Sequence, residues 1–114
     1  MAKHILFLLK SGFNDGDKGP FFCPECAEVE GFLKYAPNVE SQLDVRRIDF
    51  PRPRKPIIEL LGEANQGCPV LVIEGGSDLP AEAKKSEETG KAFIAGGMQI
   101  CEFLGRTFST VRPH

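Results

Sequence analysis

The sequence predicts an α/β sandwich in which a central mixed sheet of four strands carries helices on its faces, in the order β-α-β-α-β-β-α. Two observations carry this. Apolar runs of four to eight residues alternate with segments whose apolar residues recur at i, i+3, i+4 and i+7, and this alternation in a short chain requires a sheet with helices packed on it. At 114 residues and 41% hydrophobic content the chain makes one domain, residues 1–114, with a real core.

The first strand is His4 to Lys10, whose interior Ile5-Leu6-Phe7-Leu8-Leu9 is apolar throughout, as a strand covered on both faces must be. Residues 11–20, rich in Gly and Asp, read as a loop. Cys23-Pro24-Glu25-Cys26 follows, and then Val29, Phe32, Leu33 and Ala36 form the apolar stripe of a helix that stops before Pro37. Pro24 suits the first turn of this helix and Cys23 its cap, where unpaired backbone N–H groups and the helix dipole favour a thiolate.

Leu43 to Phe50 reads as the second strand, although Leu43 and Val45 lie in one phase and Ile48 and Phe50 in the other. The prolines of 51–56 exclude helix and central strand there, and Ile57, Leu60, Leu61 and Ala64 give the second helix. Val70-Leu71-Val72-Ile73, introduced by Gly67-Cys68-Pro69, is a β-branched buried strand. Glu74 to Lys91 reads as an exposed connection holding at most a short helical turn. Ala92-Phe93-Ile94-Ala95 is the fourth strand, Gly96-Gly97 a turn, and Ile100, Phe103, Leu104 and Phe108 the inward face of the last helix.

The formal charge of −2 announces no nucleic-acid partner, and no run approaches the roughly 20 apolar residues of a membrane span. The N-terminal apolar run is too short for a signal peptide, so a cytoplasmic protein is expected. There, four cysteines argue against structural disulfides, and a Cys-x-x-Cys pair is catalytic or metal-binding.

A strand, then Cys-Pro-x-Cys opening a helix, then strand, helix and a proline that begins the next strand resembles the thioredoxin-like fold over essentially the whole chain. Pro69-Val70-Leu71-Val72 followed by Ile100-Cys101-Glu102-Phe103-Leu104 is similar to glutaredoxins and the N-terminal domain of glutathione transferases. The Phe-Leu-Leu-Lys opening and the Pro-Arg-Pro-Arg segment also resemble a small bacterial family of thioredoxin-fold proteins of this length.

The resemblance implies a three-layer sandwich, a cis Cys68–Pro69 bond opposite the cysteine pair, and a substrate surface of Pro24, Cys68, Pro69 and Gly97. Glutathione enters as a candidate co-substrate. Yet Gly96 and Gly97 stand where glutathione transferases carry a Glu-Ser or Gln-Ser grip, leaving only backbone N–H groups for a carboxylate. With no second domain for an electrophile, transferase activity is not expected.

Three functions stand at this point. In the first, Cys23 is the nucleophile on a protein or small-molecule disulfide and Cys26 resolves the mixed disulfide. Glu25 adds a negative charge near Cys23, which predicts a less oxidising couple. The second is a thioredoxin-like binding module that recognises an extended peptide or a thiol at Pro69 without turnover. The third is a zinc or iron–sulfur carrier using Cys23, Cys26 and Cys68. Cys101 and Phe22 read as core residues, and Phe21 is open between core and rim. His4 and His114 lack any motif, while Glu82 to Glu88 is a charged surface. Arg46, Arg47, Arg52, Arg54 and Lys55 form a basic patch suited to an anionic thiol or an acidic partner, or a solvated loop.

Overall fold

A computed structural model describes residues 3–75 and 79–114, so 76–78 of the expected exposed connection lie outside the described residues. Among the described residues there are seven strands and four helices. They run β1 (Ile5–Leu9), β2 (Phe13–Asp15), β3 (Lys18–Phe21), α1 (Pro24–Tyr35), α2 (Pro37–Glu40), β4 (Asp44–Ile48), α3 (Lys55–Leu61), β5 (Val70–Val72), β6 (Lys84–Lys85), β7 (Ala92–Ala95) and α4 (Gly97–Thr107). The main sheet has the order β4-β1-β5-β7-β6. β4 lies parallel to β1, and every other neighbouring pair in it is antiparallel.

β1 lies inside the sheet, between β4 and β5, and its five buried residues divide between two cores. Leu6, Leu8 and Leu9 pack with Leu71, Ile94 and the inner faces of α1 and α4, among them Val29, Phe32, Leu33, Ile100 and Leu104. Ile5 and Phe7 point the other way, joining Val70, Val72 and Phe93 beneath Ile57 and Leu61 of α3. The alternation of Ile5 and Phe7 with Leu6 and Leu8 therefore places helices on both faces of the sheet, and only Leu9, at the end of β1, departs from it. β4 is an edge strand with a half-exposed pattern, which explains the imperfect alternation of its sequence.

The architecture departs from the expected order in several places. The sheet has five strands rather than four, because the two-residue β6 pairs with β7 inside the segment read as a connection. The 11–20 loop contains the antiparallel β2–β3 hairpin, whose exposed residues carry no apolar alternation to betray it. α2 is a single turn on Pro37. α3 starts at Lys55 inside the proline segment, with Pro56 in its first turn. It ends before Ala64, because Gly62 takes φ 83° and the Glu88 carboxylate accepts from the N–H groups of Glu63 and Ala64 at 3.4 Å. Gly96 caps α4 at φ 97° and Gly97 is its first residue rather than part of a turn.

His4 fastens the start of β1. The Glu74 N–H donates to its Nδ1 at 3.0 Å, and its ring lies 5.8 Å from that of Phe103. Burial lowers the imidazole pKa from its ordinary 6.5, against the opposing pull of the Glu74 carboxylate. With the folded pKa depressed, the unfolded chain binds the proton first as pH falls. The stability contributed by neutral His4 is thus complete above about pH 6.5 and is lost below it. Thermal melts between about pH 8 and pH 5.5 should show this loss, and a His4→Gln chain should lose less. Equal slopes would remove His4 from the account.

Among the described residues no helix is long and apolar enough to cross a membrane.

Candidate functional site

Cys23 is the N-cap of α1, with extended dihedrals (φ −78°, ψ 117°) and Pro24 directly behind it. A proline at N1 has no N–H to waste, and its fixed φ is already helical. The Cys26 N–H donates to Cys23 Sγ at 3.2 Å, so the sulfur does the work that a serine or aspartate does in an ordinary cap. One turn on, Cys26 is buried at 3% exposure, whereas Cys23 is half-buried. The β1–β5 ladder ends at the Phe7–Val70 pair, and the Leu9 N–H beyond it donates to Cys26 Sγ at 3.4 Å. Burial, and after it the hydrogen bond with Cys23, pushes the Cys26 thiol well above the ordinary range. The two cysteines therefore differ in access: one meets solvent, the other sits behind it.

Cys68 and Pro69 lead into β5, and the bond between them is cis. The Cys68 carbonyl accepts from Cys23 Sγ at 3.9 Å, which brings Cys68, Pro69, Cys23, Pro24 and Cys26 to one end of the sheet. Cys68 is half-buried, and burial raises its thiol to about 11 even though Arg54 and Arg52 pull it down. Among the described residues no three His, Cys, Asp or Glu side chains are placed to hold a metal ion.

An open groove of about 580 Å³ runs beside the pair, lined by Leu9, Lys10, Ser11, Phe22, Cys23, Cys26, Ala27, Glu30 and Arg47. Phe22, expected in the core, is 62% exposed on its rim, and Phe21 is 43% exposed. The reason is the hairpin, which ends at Phe21 and lifts both rings from the sheet; Phe21 instead packs near Phe13 with ring centroids 6.2 Å apart.

Gly97 is not the free donor expected of a substrate-binding residue. Its N–H donates to Glu25 Oε1 at 3.0 Å, joining the first turns of α1 and α4. A Cβ at Gly97 would lie 2.8 Å from the Glu25 carbonyl, so only glycine permits this approach. The basic patch is likewise largely committed. Arg46 pairs with Asp44 and Arg47 with Glu30, each at 2.8 Å. Arg54 is buried and donates to the carbonyls of Phe50 and Gln66 at 2.7–2.9 Å. Ser86, inside the stretch read as charged surface, is also buried and donates to the Leu61 carbonyl. Neither the Glu25–Gly97 contact nor the Arg54 cluster has a signal in the sequence, since each joins segments whose meeting depends on the finished fold.

Cys101 is buried on α4 as a core residue, its thiol raised to about 11 by burial and, to a lesser degree, by Glu28. At pH 8 a thiol of pKa 11 is only about 0.1% thiolate. Iodoacetamide should therefore label the folded chain first at Cys23, with Cys26, Cys68 and Cys101 following only on unfolding or at strongly alkaline pH. Peptide mass spectrometry reads the order directly, and early labelling of Cys26 would contradict the assigned burial.

A family model described as a protein of unknown function (DUF3088) matches residues 3–112. No curated protein matches the chain, and no solved structure does.

Proposed function

The chain belongs to the DUF3088 family, and for it we propose thiol–disulfide exchange through Cys23 and Cys26 on a thioredoxin-like scaffold. The observation that carries this reading is the division of the pair, with Cys23 half-buried on a helix cap and Cys26 one turn behind it in the core. The scaffold reading is supported by the β4-β1-β5-β7 order of the four longer strands of the main sheet. Pro69, leading into β5 beside Cys23, also favours it.

The Cys23 thiolate attacks one sulfur of a substrate disulfide R–S–S–R′, forming Cys23–S–S–R and expelling R′S⁻, which takes a proton from solvent. Cys26 then gives up its proton and attacks Cys23 Sγ, expelling RS⁻ and closing the Cys23–Cys26 disulfide. Two electrons pass from the pair to the substrate, and an external dithiol returns them. Burial of the Cys26 thiol makes the second step slow unless its proton passes to solvent or to the RS⁻ that forms as Cys26 attacks. The Cys68 backbone beside Cys23 offers an edge along which an extended peptide can lie.

Equilibration in dithiothreitol redox buffers followed by alkylation tests the reading. A step from four free thiols to two that disappears in a Cys23→Ser chain supports it. Four free thiols under every buffer would overturn it.

A further inference from the structure

We propose that Glu25 determines which disulfides reach Cys23, by filling with its own carboxylate the amide at the start of α4 and so excluding anionic substrates. The proposal rests on the exchange reading for its substrate class but not for its geometry.

Glu25 stands two residues after the nucleophile, and its Oε1 accepts from the Gly97 N–H at 3.0 Å. The first N–H groups of a helix have no partner within the helix, and an anion is their preferred occupant. Here that occupant is covalently part of the chain. The approach is tight at Gly97, where an added Cβ would lie 2.6 Å from Glu28 Oε1 and 2.8 Å from the Glu25 carbonyl. Gly97 thus lets α4 come close enough for Glu25 to reach its amide. A carboxylate arriving with a disulfide at Cys23 meets an amide already taken and a fixed negative charge beside it. A neutral disulfide meets neither obstacle. The cations lining the groove do not reverse this, because Arg47 is paired with Glu30 and Glu40, and Lys10 with Asp49.

The test uses a Cys26→Ser background, in which the mixed disulfide at Cys23 is trapped and located by mass spectrometry. Rates are measured with dianionic 5,5′-dithiobis(2-nitrobenzoate) and with neutral 4,4′-dithiodipyridine. Glu25→Ala should raise the anionic-to-neutral rate ratio at least about tenfold, by removing the charge and freeing a charge-assisted hydrogen bond. Glu25→Gln, which keeps an acceptor on the amide, should raise it only about threefold, because a lone charge acting through water is weak. A merely structural role would slow or speed both reagents together, and a ratio unchanged in Glu25→Ala overturns the proposal.

A second readout needs no redox chemistry. Glutarate added to ¹⁵N-labelled protein should shift the Gly97 amide saturably in Glu25→Ala and leave it unmoved in the parent and in Glu25→Gln. Should Cys23 prove inert to both reagents, the exchange reading falls, and the glutarate titration alone decides whether Glu25 holds the amide. No shift in Glu25→Ala overturns the proposal.

Discussion

Replacing Cys23 with serine should lower the rate of model-disulfide reduction by at least about a thousandfold, or roughly 4 kcal/mol of barrier at 1.36 kcal/mol per decade. The loss follows from chemistry rather than packing. A thiolate is the attacking species in exchange, and a serine hydroxyl does not substitute for it. Cys23 is half-buried and sits on a cap that serine also occupies well, so the fold should survive the change. Cys26→Ser should behave differently. The first attack remains, the resolving thiol is gone, and a mixed disulfide accumulates on Cys23 with one substrate thiol released per chain. Cys68→Ser separates the pair from a third-sulfur mechanism, since exchange through Cys23 and Cys26 survives it. Rates and intact masses measured on the three variants decide the matter: if Cys23→Ser reduces the model disulfide as fast as the parent, the pair is not the reactive centre.

That Cys23 and Cys26 are legible in the sequence, while the Glu25 contact is not, has a physical basis. The helix cap, the proline behind it and the apolar stripe at Val29, Phe32 and Leu33 are local signals, and each reappears in α1. Strand β1, apolar throughout, is buried on both faces as its composition requires. The β2–β3 hairpin escapes notice because Lys18–Phe21 is exposed at every position and so lacks the period of two that marks a half-buried strand. Phe22 is misplaced for the same reason, since an unrecognised hairpin changes where the chain enters α1. Arg47 meets Glu30 across 17 residues and Glu25 meets Gly97 across 72, and no pattern in the intervening sequence encodes either distance. The site is thus readable where it is built from one turn of helix, and unreadable where two helices meet.

Phe7→Ala should remove about 3–5 kcal/mol of stability, a large part of the roughly 5–15 kcal/mol available to a natural domain. Phe7 is fully buried, on the face of β1 that looks toward α3, among Ile5, Ile57, Leu61, Val70, Val72 and Phe93. Its ring also lies 5.8 Å from the Arg46 guanidinium, and alanine offers that cation no aromatic face. For a chain of this length the destabilisation corresponds to a fall in Tm of about 12–20 °C, read in a thermal melt with urea titration as a check. The more informative comparison is with Leu8→Ala. Leu8 is equally buried but faces the other way, in the cluster that holds Cys26 and touches Cys23, and its truncation should cost about 2–5 kcal/mol. Because the sheet separates the two cores, the Phe7 cavity should leave the alkylation rate of Cys23 per folded molecule unchanged. The Leu8 cavity opens under Cys26 and should alter it. Equal effects on Cys23 from both variants would mean that the sheet transmits the repacking, and that the thiol pair depends on the whole core rather than on the layer beneath α1 and α4.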